Sequence, residues 1–295
     1  MKKIILLFIS LFILVGCELY VQDQYREQYA VEAYLVANEN LPTIWLTRTT
    51  SMDEHFYWDS VGVINAEMQV RRLNQDHSIA ETYHYRRGSL GRYNPPRNAI
   101  VEPGSWYQLF VTFPSSDTME AKTLVPGMFE TINKLNSSYQ YKADSPIEIV
   151  VTPSNYPGRQ TYYFFTVDAL NPSEENLTPF YHDMVNEKGI NFKTLHKNTL
   201  GITNEDSYPK DGNGNIVLST PWSLFAFFGQ NEIVVNTIDD NIYDFWRSQG
   251  GQMGGVSLSN GNIKSLKYRI NGGIGIFGSM ARVSKHVGIM ESLPE

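Results

Sequence analysis

The chain predicts an all-β fold of two β-sandwich domains, and three observations carry that prediction. Apolar residues recur at every second position in short runs separated by proline, glycine and asparagine, the pattern of half-buried antiparallel strands. Aromatic residues make up 13% of the 295 positions, a composition that suits pleated surfaces better than helices. One stretch alone reads as a helix, so strands and helices do not alternate as a doubly wound fold requires.

The first segment, MKKIILLFISLFILVGC, opens with Lys2 and Lys3 and continues as an apolar run from Ile4 to Leu14 broken only by Ser10. A charged start and a short apolar core mark an export signal, and the run is too short to span a bilayer. It ends in Leu14-Val15-Gly16-Cys17, a thiol after a small residue at the end of the apolar core, which is the arrangement of a bacterial lipobox. Residues 1–16 are therefore expected to be a lipoprotein signal peptide, and Cys17 the lipidated first residue of the mature chain. Cys17 is the only cysteine, so no internal disulfide can form and no spare thiol nucleophile exists. Each buried methylene of an acyl chain contributes about 0.8 kcal/mol, so such an anchor holds a protein on a membrane without spanning it.

Residues 17–29 are polar and aperiodic, which suits a tether. From residue 30 the strand runs begin: AVEAYLV, TIWLTRT, AEMQVRRL, AETYHYRR and WYQLFVTF, the last placing Tyr107, Leu109, Val111 and Phe113 on one face. Asn94-Pro95-Pro96 and Glu102-Pro103-Gly104 require turns between extended pieces. Residues 30–127 are expected to form an immunoglobulin-like or transthyretin-like sandwich. Val125-Pro126-Gly127 closes it.

Residues 128–295 are expected to form a second β-rich domain, a sandwich with one short helix. SPIEIVVTP alternates, SLFAFFG and NEIVVNT read as strands, and TYYFFTVDAL is apolar on both faces, as a central covered strand would be. Residues 171–215, with Pro172, Pro179 and Pro209, read as a long irregular region. The helix is expected after Thr237, which precedes Asp240 at capping-box spacing; Ile242, Phe245 and Trp246 form its apolar stripe, and Gly250-Gly251 stop it. Near the end, NGGIGIFGS places Gly273, Gly275 and Gly278 at the G-x-G-x-x-G spacing. The remaining residues leave room for one more strand, ARVSKHVGIM, and not for the crossover helix and second strand of a dinucleotide site. These glycines are expected to mark a kink, a bulge or close packing in a late strand.

Charge and motifs bound the function. The chain has 31 acidic against 24 basic residues, a net charge of −7, which becomes −9 once Lys2 and Lys3 leave with the signal peptide. Such a surface repels nucleic acid. Gly255-Val256-Ser257-Leu258-Ser259 misses the nucleophile elbow at its last position, and Pro209 breaks the helical turn that Ser207 and Lys210 would need to share a face. Asp211, Asn213 and Asn215 imitate the start of a calcium loop, but Ile216 stands where glycine is required and Trp222 where a bidentate glutamate is. The six histidines never form a tight ligand pair. No catalytic residue, metal site or cofactor is expected. The densest polar-aromatic cluster is MDEHFYWDS; its His55, Tyr57, Trp58 and Asp59 are candidates for stacking on and hydrogen-bonding a sugar or peptide, beside the alternative that they plug the end of a sandwich.

The lipobox, AVEAYLV, PTIWLTRT, GRYNPPRNAIVEPGSWYQLFV, the Val-Pro boundary, IYDFWRS and GGIGIFG, in that order, resemble the Bacteroidota envelope lipoproteins grouped as domain of unknown function 4249. The resemblance covers nearly the whole mature chain. It implies a two-domain β-rich lipoprotein of the outer membrane, with a TonB-dependent receptor as a possible partner, and it carries over a role for Cys17 alone. The segment GGQMGGVSLSNGNIKSLKYRI departs from the family's asparagine- and proline-containing connection. The expected function is non-enzymatic binding of a ligand or partner beside such a transporter. Two alternatives are a glycan- or peptide-processing enzyme with carboxylates assembled from distant loops, and a surface adhesion or assembly module.

Overall fold

The structure, a computed structural model, describes residues 25–51, 54–55, 57–142, 145–253 and 266–291. The expected signal peptide, Cys17 and the Gly255–Ser259 motif lie outside the described residues. In chain order the strands are β1 (Tyr29–Val36), β2 (Ile44–Arg48), β3 (Glu67–Leu73), β4 (Ile79–His84), β5 (Arg86–Arg87), β6 (Arg92–Asn94), β7 (Trp106–Thr112) and β8 (Thr118–Leu124). They continue with β9 (Ser138–Gln140), β10 (Ile147–Val151), β11 (Tyr162–Ala169), β12 (Lys197–Thr199), β13 (Thr203–Asn204), β14 (Ile216–Thr220), β15 (Gly229–Ile238), β16 (Ile270–Asn271) and β17 (Ile274–Met290). Helices are α1 (Trp58–Val61), α2 (Pro179–Lys188) and α3 (Asp240–Met253).

The protein is mostly β, built on several open sheets. A ten-stranded sheet runs β12-β11-β15-β17-β1-β2-β6-β5, with β13 beside β11 and β9 beside β17; a five-stranded sheet runs β16-β8-β7-β3-β4, and β10 pairs with β14. The centre of the larger sheet joins the two ends of the fold, because β1 lies parallel to β17 from Ala30 opposite Ile274 to Val36 opposite Met280. Hydrogen bonding therefore runs unbroken from strands before residue 127 to strands after it.

Period-2 alternation explains the two faces of this sheet. Val31, Ala33 and Leu35 of β1, Tyr163, Phe165 and Val167 of β11, and Ile233 and Val235 of β15 point into one buried core, shared with Val70, Tyr107 and Leu109 of the five-stranded sheet and with Ile149 and Leu218 of the β10–β14 pair. The opposite face carries Tyr34, Phe164, Ile238, Ile276 and Met280, and α3 lies on it through Ile242, Phe245 and Trp246. The expected helical stripe is thus the packing face of α3.

Several local expectations are corrected. Thr237 does not cap the helix: β15 continues to Ile238, and Asp239 caps it, its Oδ1 accepting from Ile242 N at 2.9 Å. Gly250 and Gly251 do not stop α3, which extends to Met253; glycine weakens a helix by about 1 kcal/mol without removing a donor. SLFAFFG is not a strand, for Pro221 opens a 3₁₀ turn at Trp222–Leu224, and Phe225, Ala226 and Phe227 are buried beyond it. The region 171–215 is more regular than expected: Pro179 sits at the start of α2, where its missing N–H is harmless, and Gly189 ends it at φ 63°. Nor is ARVSKHVGIM a separate strand, since β17 runs without a break from Ile274 to Met290.

The late glycines do what close packing requires. A side chain at Gly275, whose φ is 107°, would strike the Val31 carbonyl oxygen across the parallel pair, and one at Gly278 would press 2.5 Å from Ile242 Cγ1 of α3. They let β17 lie tight against β1 on one side and under the helix on its outer face.

Candidate aromatic groove

Helix α3 covers only the middle of the outer sheet face, and hollows are left around it. Trp246 borders three of them among the described residues. One, of about 390 Å³, is a groove walled by Tyr34, Trp45, Trp58, Phe245 and Trp246, with Glu32, Thr47 and Gln249 as its polar side chains. The next, of about 690 Å³, shares Tyr34 and Trp246 with it and continues along the sheet as a polar trough.

Each groove residue is placed by its element. Glu32 and Tyr34 alternate with the inward Ala33 and Leu35 of β1; Trp45 faces Glu32 from β2 and Arg92 from β6. The Arg92 guanidinium lies 4.5 Å from the centre of a Trp45 ring, a cation–π stack. Trp58 opens α1 and tilts against Trp45 with ring centres 5.1 Å apart. Phe245 and Trp246 come from the apolar stripe of α3, and the Trp246 ring meets Phe164 edge-on at 4.9 Å. Burial, and then the charge of Glu32, push the Tyr34 hydroxyl up to about 12, against a hydrogen bond with Trp246 that lowers it. Tyr34 is therefore a neutral hydroxyl at any physiological pH.

The trough is floored by rungs of aligned residues. Asp168 stands opposite Lys197 and Glu232, and Thr166 opposite Thr199 and Val234. Phe164 stands opposite Asn236, which pairs in turn with Arg282. Its charges are largely paired: Lys197 Nζ reaches Asp168 Oδ2 at 3.0 Å, and Arg282 reaches Glu39 at 2.6 Å. His286 Nε2 lies 3.6 Å from Glu232.

Of the four residues singled out by the sequence, Trp58 is the one in the groove wall; it is 47% exposed. Tyr57 sits at the cap position of α1, 64% exposed, with its carbonyl accepting from Ser60 Oγ. His55 meets the Tyr57 ring edge-on at 6.3 Å, and Asp59 occupies the exposed first turn of α1. The groove residues that sequence reasoning missed are Glu32, Tyr34, Trp45, Phe245 and Trp246. The outward phase of AVEAYLV and TIWLTRT pointed to the first three; Phe245 and Trp246 were indistinguishable from helix core.

Beyond the groove, a separate cleft of about 430 Å³ opens where α3 begins, lined by Trp106, Lys122, Asp240, Asn241, Arg269 and Asn271 among others. Beneath it lies Asp239, fully buried. Its carboxyl is pushed up to about 7 by burial, against hydrogen bonds from Thr123 and the backbone of Ile242 and Ser279, with the charge of Asp240 adding to the rise. Asp240 itself meets Arg159 at 2.5 Å. Elsewhere, Asp211 Oδ1 accepts from Asn213 N and Asn215 N, a turn closed on its own backbone. Lys210 Nζ is engaged by Glu205 at 2.8 Å. Among the described residues no group of three or more histidine, cysteine or acidic side chains is placed to hold a metal ion. No helix among them is long and apolar enough to cross a membrane.

An open, β-rich scaffold with an aromatic groove beside the longest helix among the described residues defines the class. The chain belongs to the family described as Domain of unknown function (DUF4249), which matches residues 18–286. No curated protein matches it. Among solved structures it is similar to Escherichia coli alpha-2-macroglobulin activated by porcine elastase, at TM-score 0.25 and 7% identity over 90% of this chain and 20% of that one. A Salmonella alpha-2-macroglobulin reacted with methylamine gives TM-score 0.25 and 8% identity over 90% and 15%. Three N-terminal domains of the bacteriophage RB49 highly immunogenic outer capsid protein give 0.24 and 8% over 90% and 71%. The chain spans a fifth or less of the two macroglobulins, and at these scores the likenesses carry no argument about function.

Proposed function

We propose that this is a non-enzymatic, lipid-anchored outer-membrane protein that holds a ligand in the aromatic groove and serves as an accessory to a TonB-dependent transporter. The observation that carries it is the convergence of five aromatic rings from β1, β2, α1 and α3 on one open groove whose polar side chains include a single carboxylate. Rings and a few convergent polar groups are what a binding pocket needs; one lone carboxylate is half of an acid–base pair. The lipobox sequence ending at Cys17 supports the anchor and the envelope location. In architecture, the proposal takes residues 30–127 as a sandwich in which β3, β4, β7 and β8 face β1, β2, β5 and β6, and residues 128–295 as a second, in which β10 and β14 face β11, β15 and β17. That Leu46, Leu109, Ile149 and Phe165 all lie in one buried core supports sheets packed face to face.

The test is affinity purification of the tagged chain from gently solubilised outer membranes. Recovery of a TonB-dependent receptor is expected, and its absence would remove the transporter from the proposal.

A further inference from the structure

We infer that the groove takes a neutral carbohydrate chain, which runs from the aromatic walls into the polar trough. The inference rests on the ligand-binding reading of the groove and names the class of ligand. Charge decides first. Among the described residues no lysine or arginine lines the groove while Glu32 does, so an anionic ligand meets a carboxylate there. The Arg92 guanidinium already stacks on a Trp45 ring, so that ring is not open to a cationic ligand. A peptide added as an extra strand needs a free row of backbone N–H and C=O groups. The sheet offers none here, since β1 lies between β17 and β2, and β2 between β1 and β6.

A pyranose meets what remains. Its C–H face stacks on indole and phenyl rings, while its rim of hydroxyls both donates and accepts hydrogen bonds. The groove interleaves these partners: Trp58, Phe245 and Trp246 supply rings; Glu32, Thr47 and Gln249 supply acceptors and donors. Past the shared Tyr34 and Trp246, the trough presents the exposed Thr199 and Ser284 above the buried Thr166 and Asn236, with its main ion pairs already closed. Two neighbouring hollows of about 390 and 690 Å³, with Tyr34 and Trp246 in the wall of both, exceed what one sugar ring fills, so the geometry points to an oligosaccharide.

The experiment uses the full lipidated chain in lauryldimethylamine oxide, a detergent without a sugar head group. Cellohexaose, xylohexaose, mannohexaose and maltohexaose are titrated, with tryptophan fluorescence and calorimetry as readouts. At least one is expected to bind, and Trp58→Ala to weaken it about tenfold or more, the scale of truncating an aromatic anchor. Thr199→Ala, at an exposed position of the trough, is expected to weaken the hexaose that binds and to leave the matching disaccharide (cellobiose, xylobiose, mannobiose or maltose), titrated in parallel, unchanged. Trp58 is half exposed, and circular dichroism verifies that the variant folds. Binding that ignores Trp58→Ala would overturn the site. If no oligosaccharide binds but tetramethylammonium or an acid-free peptide digest quenches tryptophan in a Trp58-dependent way, the carbohydrate inference falls and the groove stands as a ligand site. If no probe binds at all, both fall.

Discussion

Replacing Asp239 by asparagine should remove a pH dependence of stability that the fold builds into the start of α3. Asp239 Oδ2 lies 2.5 Å from Thr123 Oγ1, Thr123 Oγ1 lies 2.6 Å from Ser279 Oγ, and Ser279 Oγ lies 3.0 Å from the Leu124 carbonyl oxygen. These are three oxygen–oxygen links. An ionised Asp239 leaves only the two hydroxyl hydrogens to fill them; a protonated carboxyl supplies the third. Proton counting and burial thus agree on a neutral Asp239 in the folded chain below about pH 7. The pKa is raised from 3.8 to about 7 on folding, so the folded state binds more protons than the unfolded state between those values. The group's contribution is fully present below about pH 4 and is lost as pH rises to about 7. At about 1.4 kcal/mol per tenfold in proton affinity, the loss amounts to roughly 4 kcal/mol. The amide of Asp239→Asn cannot ionise; its nitrogen donates to Thr123, and its oxygen still accepts from Ile242 N. Urea unfolding at pH 4.5, 6, 7 and 8 should show wild-type stability falling across this range relative to Asp239→Asn. The two should be within about 1 kcal/mol at pH 4.5, and the variant should be the more stable at pH 8. Curves with the same pH slope in both proteins would refute the protonated carboxyl.

Other outcomes rest on the same geometry. Gly278→Ala should destabilise by about 1–3 kcal/mol, the range for overpacking, because the added methyl presses on Ile242; the urea midpoint checks it, and an unchanged midpoint would mean that α3 shifts freely. Gly275→Ala should be worse and yield little folded protein, since its obstacle is the rigid Val31 carbonyl and its φ is 107°; a normal yield of folded protein in the membrane fraction would contradict this. Phe165→Ala, which empties a fully buried position on the core face of β11, should cost about 3–5 kcal/mol by chemical denaturation. Cys17→Ser should move the protein from the membrane to the soluble fraction; retention in the membrane pellet would contradict the anchor.

Much of the fold was legible because strands announce themselves locally. WYQLFVTF alternates, and β7 buries Tyr107, Leu109 and Val111 as that phase requires; TYYFFTVDAL carries apolar residues on both faces, and β11 sits between β12 and β15 with Tyr163 to Val167 buried. Punctuation was less reliable. Gly250-Gly251 reads as a stop and Pro179 as a break, yet one lies inside α3 and the other begins α2. Glycine weakens a helix interior without breaking it and proline is tolerated in a helix's first turn, so the meaning of each depends on where the helix lies around it. The groove was legible in part: Trp58 stood out beside carboxylates, while Glu32 and Tyr34 sat unremarked on the outward phase of a strand already assigned. Trp246 was hidden for a different reason. An aromatic on a helix stripe looks the same whether its far edge meets core or an open hollow.

By itself the sequence determined the strand-rich composition, the phase of each strand, the apolar stripe of α3 and the glycine spacing that β17 needs. These depend on neighbours a few residues away. Tertiary structure alone decided that β1 pairs with β17, that the Asp239 carboxyl sits among Thr123 and Ser279, and that Trp45, Trp58 and Trp246 share one groove. Those contacts join residues from distant parts of the chain. Periodicity fixes which face a residue occupies, but only the order of strands in the sheet fixes what stands opposite it.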